Sequence, residues 1–326
     1  MKYLKLYESY HENMCPLCLE KYLNERKTEM ILEGNSDFVR SLSIVVPTKV
    51  CVNNCKFCVS KLTINDRYDD KSKKEIFDDE YFNKMQYVKD KGGKVAILTG
   101  DGEPMQNKKF LRRVGKLNKM LNEPFVFEIQ TTGVLLNDGN LDFLKDEVGV
   151  DVISLSVSDM FDNENNANTI RISRKIRFDL EDLCRKIRQK GFILRVSVNL
   201  IDEYNKYTPE EILSRLMELN PDQAIFRVLW CSGDDDHEVN KWIKGHSASK
   251  SIVSDLNQFI IDNGKHIGDL PTRFDINGVS IVVDNDCMAR KKIEQFRYLI
   301  LRQDCELYPK WDSDIPHKIE EFEYEN

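Results

Sequence analysis

Three cysteines lie close together in the run Cys51-Val-Asn-Asn-Cys55-Lys-Phe-Cys58, with the spacing C-x3-C-x2-C. Three thiolates in one short turn can bind three irons of a cubane cluster and leave the fourth iron without a protein ligand. A structural zinc site is the simpler alternative, but zinc prefers C-x2-C pairs in twos and closes at four ligands. The spacing therefore favours a 4Fe-4S cluster with one open iron, where chemistry can take place.

An apolar, β-branched run at 42–50 precedes these cysteines and predicts a buried strand. The thiols would then emerge at the carboxyl end of a strand, which is the catalytic end of an α/β barrel. Further strand-like runs follow at 94–99, 125–131, 151–158, 192–200 and 223–230, with amphipathic helical segments between them. Strands separated by helices imply parallel pairing with right-handed crossovers, and the pattern predicts six βα units.

The cysteine spacing, the later element Gly100-Asp101-Gly102-Glu103-Pro104 and the alternation over 42–232 resemble the radical S-adenosylmethionine (radical SAM) superfamily. The resemblance implies an α/β fold, a partial (βα)6 TIM-like barrel, with extensions at both ends. It also implies that SAM chelates the open iron and is cleaved reductively to a 5'-deoxyadenosyl radical, which abstracts hydrogen from a substrate. The electron would come from a reductant such as flavodoxin or ferredoxin.

The resemblance assigns Asp101, Gly102 and Glu103 to the amino group of SAM. The family element usually has two glycines before the glutamate, and this chain has Asp101 and Gly102 instead. Without the cysteines, the same residues would predict an ordinary turn, with Glu103 and Pro104 opening a helix.

Polar residues at the ends of the third and fourth predicted strands are further candidates. The resemblance places Thr131 near the adenosine of SAM, although capping of the next turn explains it equally well. Ser154, Ser156 and Ser158 share one strand face by alternation. Ser156 matches the family's ribose-contacting serine best, and the other two are alternatives.

Two arginines lie on the polar sides of the last predicted strands. Arg195 shares a face with Asn199, and a buried arginine needs an anionic or carbonyl partner. In the implied SAM site that partner is the methionyl carboxylate, with Asn199 beside it, and a structural ion pair with an acid on a neighbouring strand is the alternative. Arg227 repeats the pattern and is predicted to bind SAM or an anionic substrate.

The chain is predicted to comprise an N-terminal extension at 1–41, a core at 42–232 and a C-terminal substrate-covering region at 233–326. Cys15 and Cys18 in the first part have the spacing of a metal site, so a second metal, zinc or an iron–sulfur cluster, is weighed against unliganded thiols. Cys184 lies on an apolar helical stripe and is predicted to be core. The last part contains β-rich runs at 273–283 and 296–301.

Composition limits the partners. A net charge of -7 and a pI near 5.5 disfavour nucleic acid, because duplex binding needs many phosphate contacts. Nine cysteines without a secretory leader favour a reducing compartment, and no run is long enough to cross a membrane, so we expect a cytoplasmic protein.

The sequence thus predicts a radical SAM enzyme that acts on a small anionic metabolite or nucleotide. The C-terminal β-rich runs would narrow the open side of the barrel, and Arg227 would face the resulting pocket. The alternatives are an activase or modifying enzyme with a protein or RNA partner, and a metal-binding scaffold without activity.

Overall fold

The computed structural model describes residues 39–48, 50–62, 78–232, 234–267, 272–284, 297–311 and 315–317. Cys15 and Cys18 lie outside the described residues. Their assignment to an auxiliary metal site therefore stays a prediction.

One sheet of eleven strands organises the described part of the chain. In chain order the strands are β1 Val39–Val45, β2 Val95–Thr99, β3 Val126–Thr131, β4 Val152–Val157, β5 Ile193–Leu200, β6 Gln223–Val228, β7 Lys265–His266, β8 Arg273–Ile276, β9 Val279–Asp284, β10 Arg297–Leu301 and β11 Leu307–Tyr308. Across the sheet they follow the order β11-β10-β1-β2-β3-β4-β5-β6-β9-β8-β7. Strands β1 to β6 are parallel neighbours in chain order, which confirms the predicted α/β fold.

Two strands from the C-terminal region join this sheet on opposite sides of the six predicted strands. β10 pairs in parallel with β1, and β9 pairs in parallel with β6. Eight consecutive parallel strands therefore run from β10 to β9. The β-rich runs thus add strands to the sheet next to both β1 and β6.

The run at 273–283 is a hairpin and not one continuous stretch. Antiparallel strands β8 and β9 are joined by Asn277 and Gly278, whose φ angles are 53° and 84°. Asn-Gly at the two central positions is typical of a type I′ turn, whose twist matches that of the flanking strands. The apolar pattern continues on both sides of the turn, and the Asn-Gly pair is the signal that divides it.

Helices connect the strands. They are α1 Asp78–Asp90, α2 Lys108–Met120, α3 Asp138–Asp142, α4 Asn163–Thr169, α5 Leu180–Gln189, α6 Pro209–Glu218, α7 Glu238–His246 and α8 Lys250–Asn263. Helix α6 begins with a capping box in which Thr208 and Glu211 satisfy each other's backbone amides. Among the described helices, none is both long enough and apolar enough to cross a membrane.

The two faces of the sheet differ in polarity because side chains alternate along each strand. One face belongs to an apolar core that also contains the buried stripe of α5, including Cys184, which confirms its predicted core position. The other face carries polar side chains from successive strands. These include Glu128, Ser154, Ser156, Arg195, Asn199 and Arg227.

Replacing Gly278 by Ala tests the turn between β8 and β9. No atom lies within 4 Å of the position that a Cβ would take, so only the positive φ opposes the new side chain. We expect Gly278→Ala to lower the free energy of unfolding by about 1 kcal/mol. Gly245, near the end of α7, has equally open surroundings and a helical backbone, so Gly245→Ala should raise it by about 0.4–1 kcal/mol. Denaturant titration of both variants measures the difference, and a change of the same sign in both would contradict the turn assignment.

Candidate active site

The loop that contains the three cysteines, residues 46–58 and here called the cysteine loop, begins directly after β1 and is held by side chains that follow β2. Gln106 Nε2 donates to the carbonyl oxygen of Val50 at 2.8 Å, and Gln106 Oε1 accepts from the amide of Val52 at 2.7 Å. Asn107 Nδ2 donates to the carbonyl oxygen of Pro47 at 2.8 Å. Three backbone groups of the loop therefore have fixed partners outside it.

Glycines allow this close contact. A Cβ on Gly102 would lie 2.3 Å from Thr48 Oγ1 and 3.3 Å from Cys51 Cβ. A Cβ on Gly100 would lie 2.5 Å from the carbonyl oxygen of Val46. A Cβ on Gly100 would overlap the backbone of the loop, so glycine is required there, while a Cβ on Gly102 would force the Thr48 side chain to shift.

The three thiols lie at the carboxyl end of β1 and are partly buried. Burial raises the pKa of Cys51, and burial followed by repulsion from the thiolates of Cys58 and Cys51 raises the pKa of Cys55. Because these thiolates repel one another, a bound cation is needed to favour the fully deprotonated loop. Three polar groups reach the sulfurs: the backbone amides of Asn53 and Glu103 donate to Cys51 Sγ, the first at 3.4 Å, and Ser60 Oγ lies 2.9 Å from Cys58 Sγ.

Glu103 is buried between β2 and β3, with 2% of its surface exposed. Its carboxylate accepts from Thr131 Oγ1 at 2.6 Å, from the Thr132 amide and hydroxyl at 3.0 Å each, and from the Met105 amide at 3.4 Å. Burial raises the pKa of Glu103, and the hydrogen bonds from Thr131 and Thr132 act in the opposite direction. The carboxylate thus joins the segment after β2 to the end of β3. Thr131, expected near adenosine, has its hydroxyl directed to Glu103.

Asp101, Ser156 and Asn199 lie at the carboxyl ends of three different strands. The carbonyl oxygen of Asp101 accepts from Ser60 Oγ at 3.2 Å, which links it to the cysteine loop. Asn199 Nδ2 donates to Ser156 Oγ at 3.1 Å and to the carbonyl oxygen of Val157 at 3.3 Å. Two of the residues predicted to bind SAM are therefore direct neighbours.

Arg195 is engaged with side chains of the protein. It forms an ion pair with Glu128, which is 1% exposed, and its Nε donates to Gln223 Oε1 at 2.7 Å. The acid lies on β3, one strand beyond the adjacent β4. This is the ion-pair alternative considered from the sequence, and binding of the SAM carboxylate by Arg195 stays a prediction.

Arg227 lies on the same face, nearer the carboxyl ends of the strands. It is in register with Asn199 on β5 and with Asp284 on β9. Its Nε is buried and has no hydrogen-bond partner among the described residues. Unlike Arg195, it therefore has a buried N–H donor without a partner among the described residues.

The other side of the cysteine loop packs against two segments from later in the chain. Its backbone pairs with the segment after α4, where the Asn54 amide donates to the carbonyl oxygen of Ile170 at 3.1 Å. The ring of Phe57 lies 6.0 Å from that of Trp242 on α7, and Trp242 stacks on His246 at 4.5 Å. The C-terminal region is thereby in contact with the loop.

A family model described as the Radical SAM superfamily matches residues 45–216, more than half of the chain. The chain belongs to the radical SAM superfamily. This confirms the predicted family and makes the chain an enzyme, which removes the alternative of a scaffold without activity. The match includes all three cysteines of the loop and the segment with Glu103.

Solved structures share the fold. The structure of native anSMEcpe with bound AdoMet has a TM-score of 0.54 and 12% identity, over 84% of this chain and 75% of that chain. Native anSMEcpe with bound AdoMet and Cp18Cys peptide has a TM-score of 0.55 and 13% identity, over 85% and 75%. No curated protein sequence matches the chain. At these identities the likeness concerns the fold alone.

The donor set of the cysteine loop fits the 4Fe-4S cluster that radical SAM membership implies. In a cubane each thiolate binds a different iron, so the three sulfurs need not converge on one point. In the described ranges, no three His, Cys, Asp or Glu side chains are arranged to hold a single metal ion together. Hydrogen bonds to the ligating sulfurs tune such a site, and the Asn53 backbone amide, which donates to Cys51 Sγ, is placed to make one.

Several residues of this candidate site were not identified from the sequence. Gln106, Asn107 and Asn53 are polar residues in turns, and no local signal separates their roles from ordinary capping. Asn107 does cap α2, because its Oδ1 accepts from the Phe110 amide at 3.1 Å. Trp242 is remote in sequence from the loop that it contacts.

Removal of the Gln106 side chain tests how the cysteine loop is held. Gln106→Ala loses both hydrogen bonds to the loop backbone, so we expect amide exchange at Val52 to accelerate by about 10-fold or more and the iron content after reconstitution to fall. Gln86→Ala is the matched control, because Gln86 bonds to Asp90 within α1. Hydrogen exchange by mass spectrometry and iron analysis give the two readouts. Wild-type exchange in Gln106→Ala would contradict the described contacts.

Proposed function

We propose that Cys51, Cys55 and Cys58 hold the 4Fe-4S cluster of this radical SAM enzyme, and that SAM binds between this loop and the polar face of the sheet. The observation that carries the proposal is the contact of Gly102 with Thr48 and Cys51, which brings the segment after β2 to the thiols. When bound, the cluster supplies the electron that breaks a carbon–sulfur bond of SAM. A protein such as flavodoxin or ferredoxin is proposed as the reductant.

The residues around the cysteine loop are proposed to orient SAM. Asp101 and Gly102 would bind its ammonium group through their backbone carbonyls, while the Glu103 carboxylate keeps the end of β3 in place. Ser156 and Asn199, which are hydrogen-bonded to each other, would contact the ribose. The ion pair of Arg195 with Glu128 favours a structural role for that arginine.

The proposed substrate is a small anionic metabolite or a nucleotide. Arg227 supports this class because a guanidinium with an unpartnered, buried Nε can bind a phosphate or carboxylate. β9 joins the sheet next to β6 and β10 joins it next to β1, and both strands are expected to narrow the access to its polar face. Arg227 would bind the anionic group and orient the substrate carbon that loses hydrogen.

Loss of any thiol of the loop tests the cluster assignment. Cys51→Ala, Cys55→Ala and Cys58→Ala should each lose at least 99% of 5'-deoxyadenosine formation, about 100-fold, because each removes one of three iron ligands. Anaerobic reconstitution followed by dithionite and SAM, with chromatography of the products, measures this. Cys231→Ala should keep wild-type activity, since Cys231 lies outside the loop. Full activity in any of the three loop variants would contradict the assignment.

Removal of Arg227 tests the substrate class. Nucleotides, sugar phosphates and carboxylic acids are screened for compounds that accelerate 5'-deoxyadenosine formation and are themselves converted. We expect Arg227→Ala to retain uncoupled SAM cleavage and to lose that acceleration by about 10-fold or more, because the anion loses a charge-assisted contact. Arg112→Ala is the control, since Arg112 pairs with Glu147 on the protein surface.

One outcome would contradict the small-molecule proposal: a folded protein or an RNA accelerates 5'-deoxyadenosine formation at physiological salt, and no small anion does. That result would favour the activase or modifying-enzyme alternative.

A further inference from the structure

Asn53 is a buried residue of the cysteine loop that has no assigned role. It lies between Cys51 and Cys55 and is 6% exposed. Its side-chain oxygen, Oδ1, is buried and has no hydrogen-bond partner among the described residues. A buried amide oxygen without a partner is costly, so this atom requires an explanation.

A chain of hydrogen bonds determines which way the amide points. Asn53 Nδ2 donates to Thr132 Oγ1 at 2.8 Å, and Thr132 Oγ1 donates to Glu103 Oε2 at 3.0 Å. The hydroxyl of Thr132 has one proton, and this hydrogen bond commits it to Glu103. Thr132 can then only accept from Asn53, which requires the amide nitrogen on that side. Oδ1 is thereby directed away from Thr132 as an open acceptor.

Two polar groups beside Asn53, Cys51 Sγ and the Glu103 carboxylate, accept hydrogen bonds. Cys51 Sγ accepts from the backbone amide of Asn53, and the Glu103 carboxylate accepts from four donors. Because Oδ1 can only accept, a ligand that complements it must bring a hydrogen-bond donor, and a charged donor forms the stronger hydrogen bond. The ammonium group of SAM has this chemistry, with three N–H donors and a positive charge.

We propose that Asn53 Oδ1 accepts a hydrogen bond from the ammonium group of SAM. The inference rests on the proposed function, because it takes the cysteine loop as the site where SAM is held. Thr132 and Glu103 act as positioning residues that orient the Asn53 amide. The loop that supplies the three thiols thus also supplies a ligand for SAM.

The test measures anaerobic binding of three compounds to the reconstituted protein by calorimetry. SAM and decarboxylated SAM carry the ammonium group, and 5'-methylthioadenosine lacks it. We expect Asn53→Ala to raise the Kd of the first two by about 10-fold or more, the effect of losing one charge-assisted hydrogen bond, and to leave the third unchanged. Asn54→Ala is the matched control, because the exposed Asn54 bonds to Lys61 at 2.5 Å and should leave all three affinities unchanged.

A second variant keeps the test decisive if Asn53→Ala fails to fold. Thr132→Val removes the hydroxyl that orients the amide without altering the loop between the cysteines. It should weaken SAM and decarboxylated SAM, and again leave 5'-methylthioadenosine unchanged.

Iron and sulfide content separates this inference from the proposed function. If the wild-type protein holds no cluster, the proposed function fails. If it holds a cluster and binds SAM, and both variants bind SAM as tightly as wild type, only the role of Asn53 is overturned. An equal loss of affinity for all three compounds would also overturn it, because that result indicates a disordered loop.

Discussion

The contact between the cysteine loop and the segment after β2 is the constraint on which the rest of the site depends. Gly102 leaves no space for a side chain against Thr48 and Cys51, and Gln106 bonds to the loop backbone on both sides of Cys51. Because the ends of β1 and β2 are parallel neighbours, this contact places the thiols beside Glu103. A Cβ at position 102 would overlap Thr48 Oγ1 and lie 3.3 Å from Cys51 Cβ, so side chains of the loop would have to shift.

A buried carboxylate extends this constraint to β3. Glu103 is tolerated in the interior because four donors from Thr131, Thr132 and Met105 compensate for the water that it loses. The Thr132 hydroxyl that donates to Glu103 also accepts from the Asn53 side chain, so the orientation of that side chain depends on these two hydrogen bonds. The segment after β2, the end of β3 and the cysteine loop therefore share one polar network.

The polar face of the sheet contains two arginines with different surroundings. Arg195 is neutralised by the buried Glu128 and held by Gln223, as a structural ion pair requires. Arg227 has a buried Nε without a partner, and it lies closer to the carboxyl ends of the strands, where ligands bind in parallel α/β sheets. β5 and β6 have a similar alternation of polar and apolar residues, so the two arginines differ because different side chains lie beside them.

The sequence by itself predicted the parallel strands β1 to β6, the core position of Cys184 and the superfamily. These follow from spacing and periodicity, which are local properties of the chain. The hairpin at Asn277 was not predicted, although its Asn-Gly pair is a local signal for such a turn. Only the tertiary structure decided that Glu128 neutralises Arg195, that Gln106 holds the cysteine loop, and that β9 and β10 join the sheet on opposite sides. Periodicity shows which face a side chain occupies, but its partner depends on packing between segments far apart in sequence.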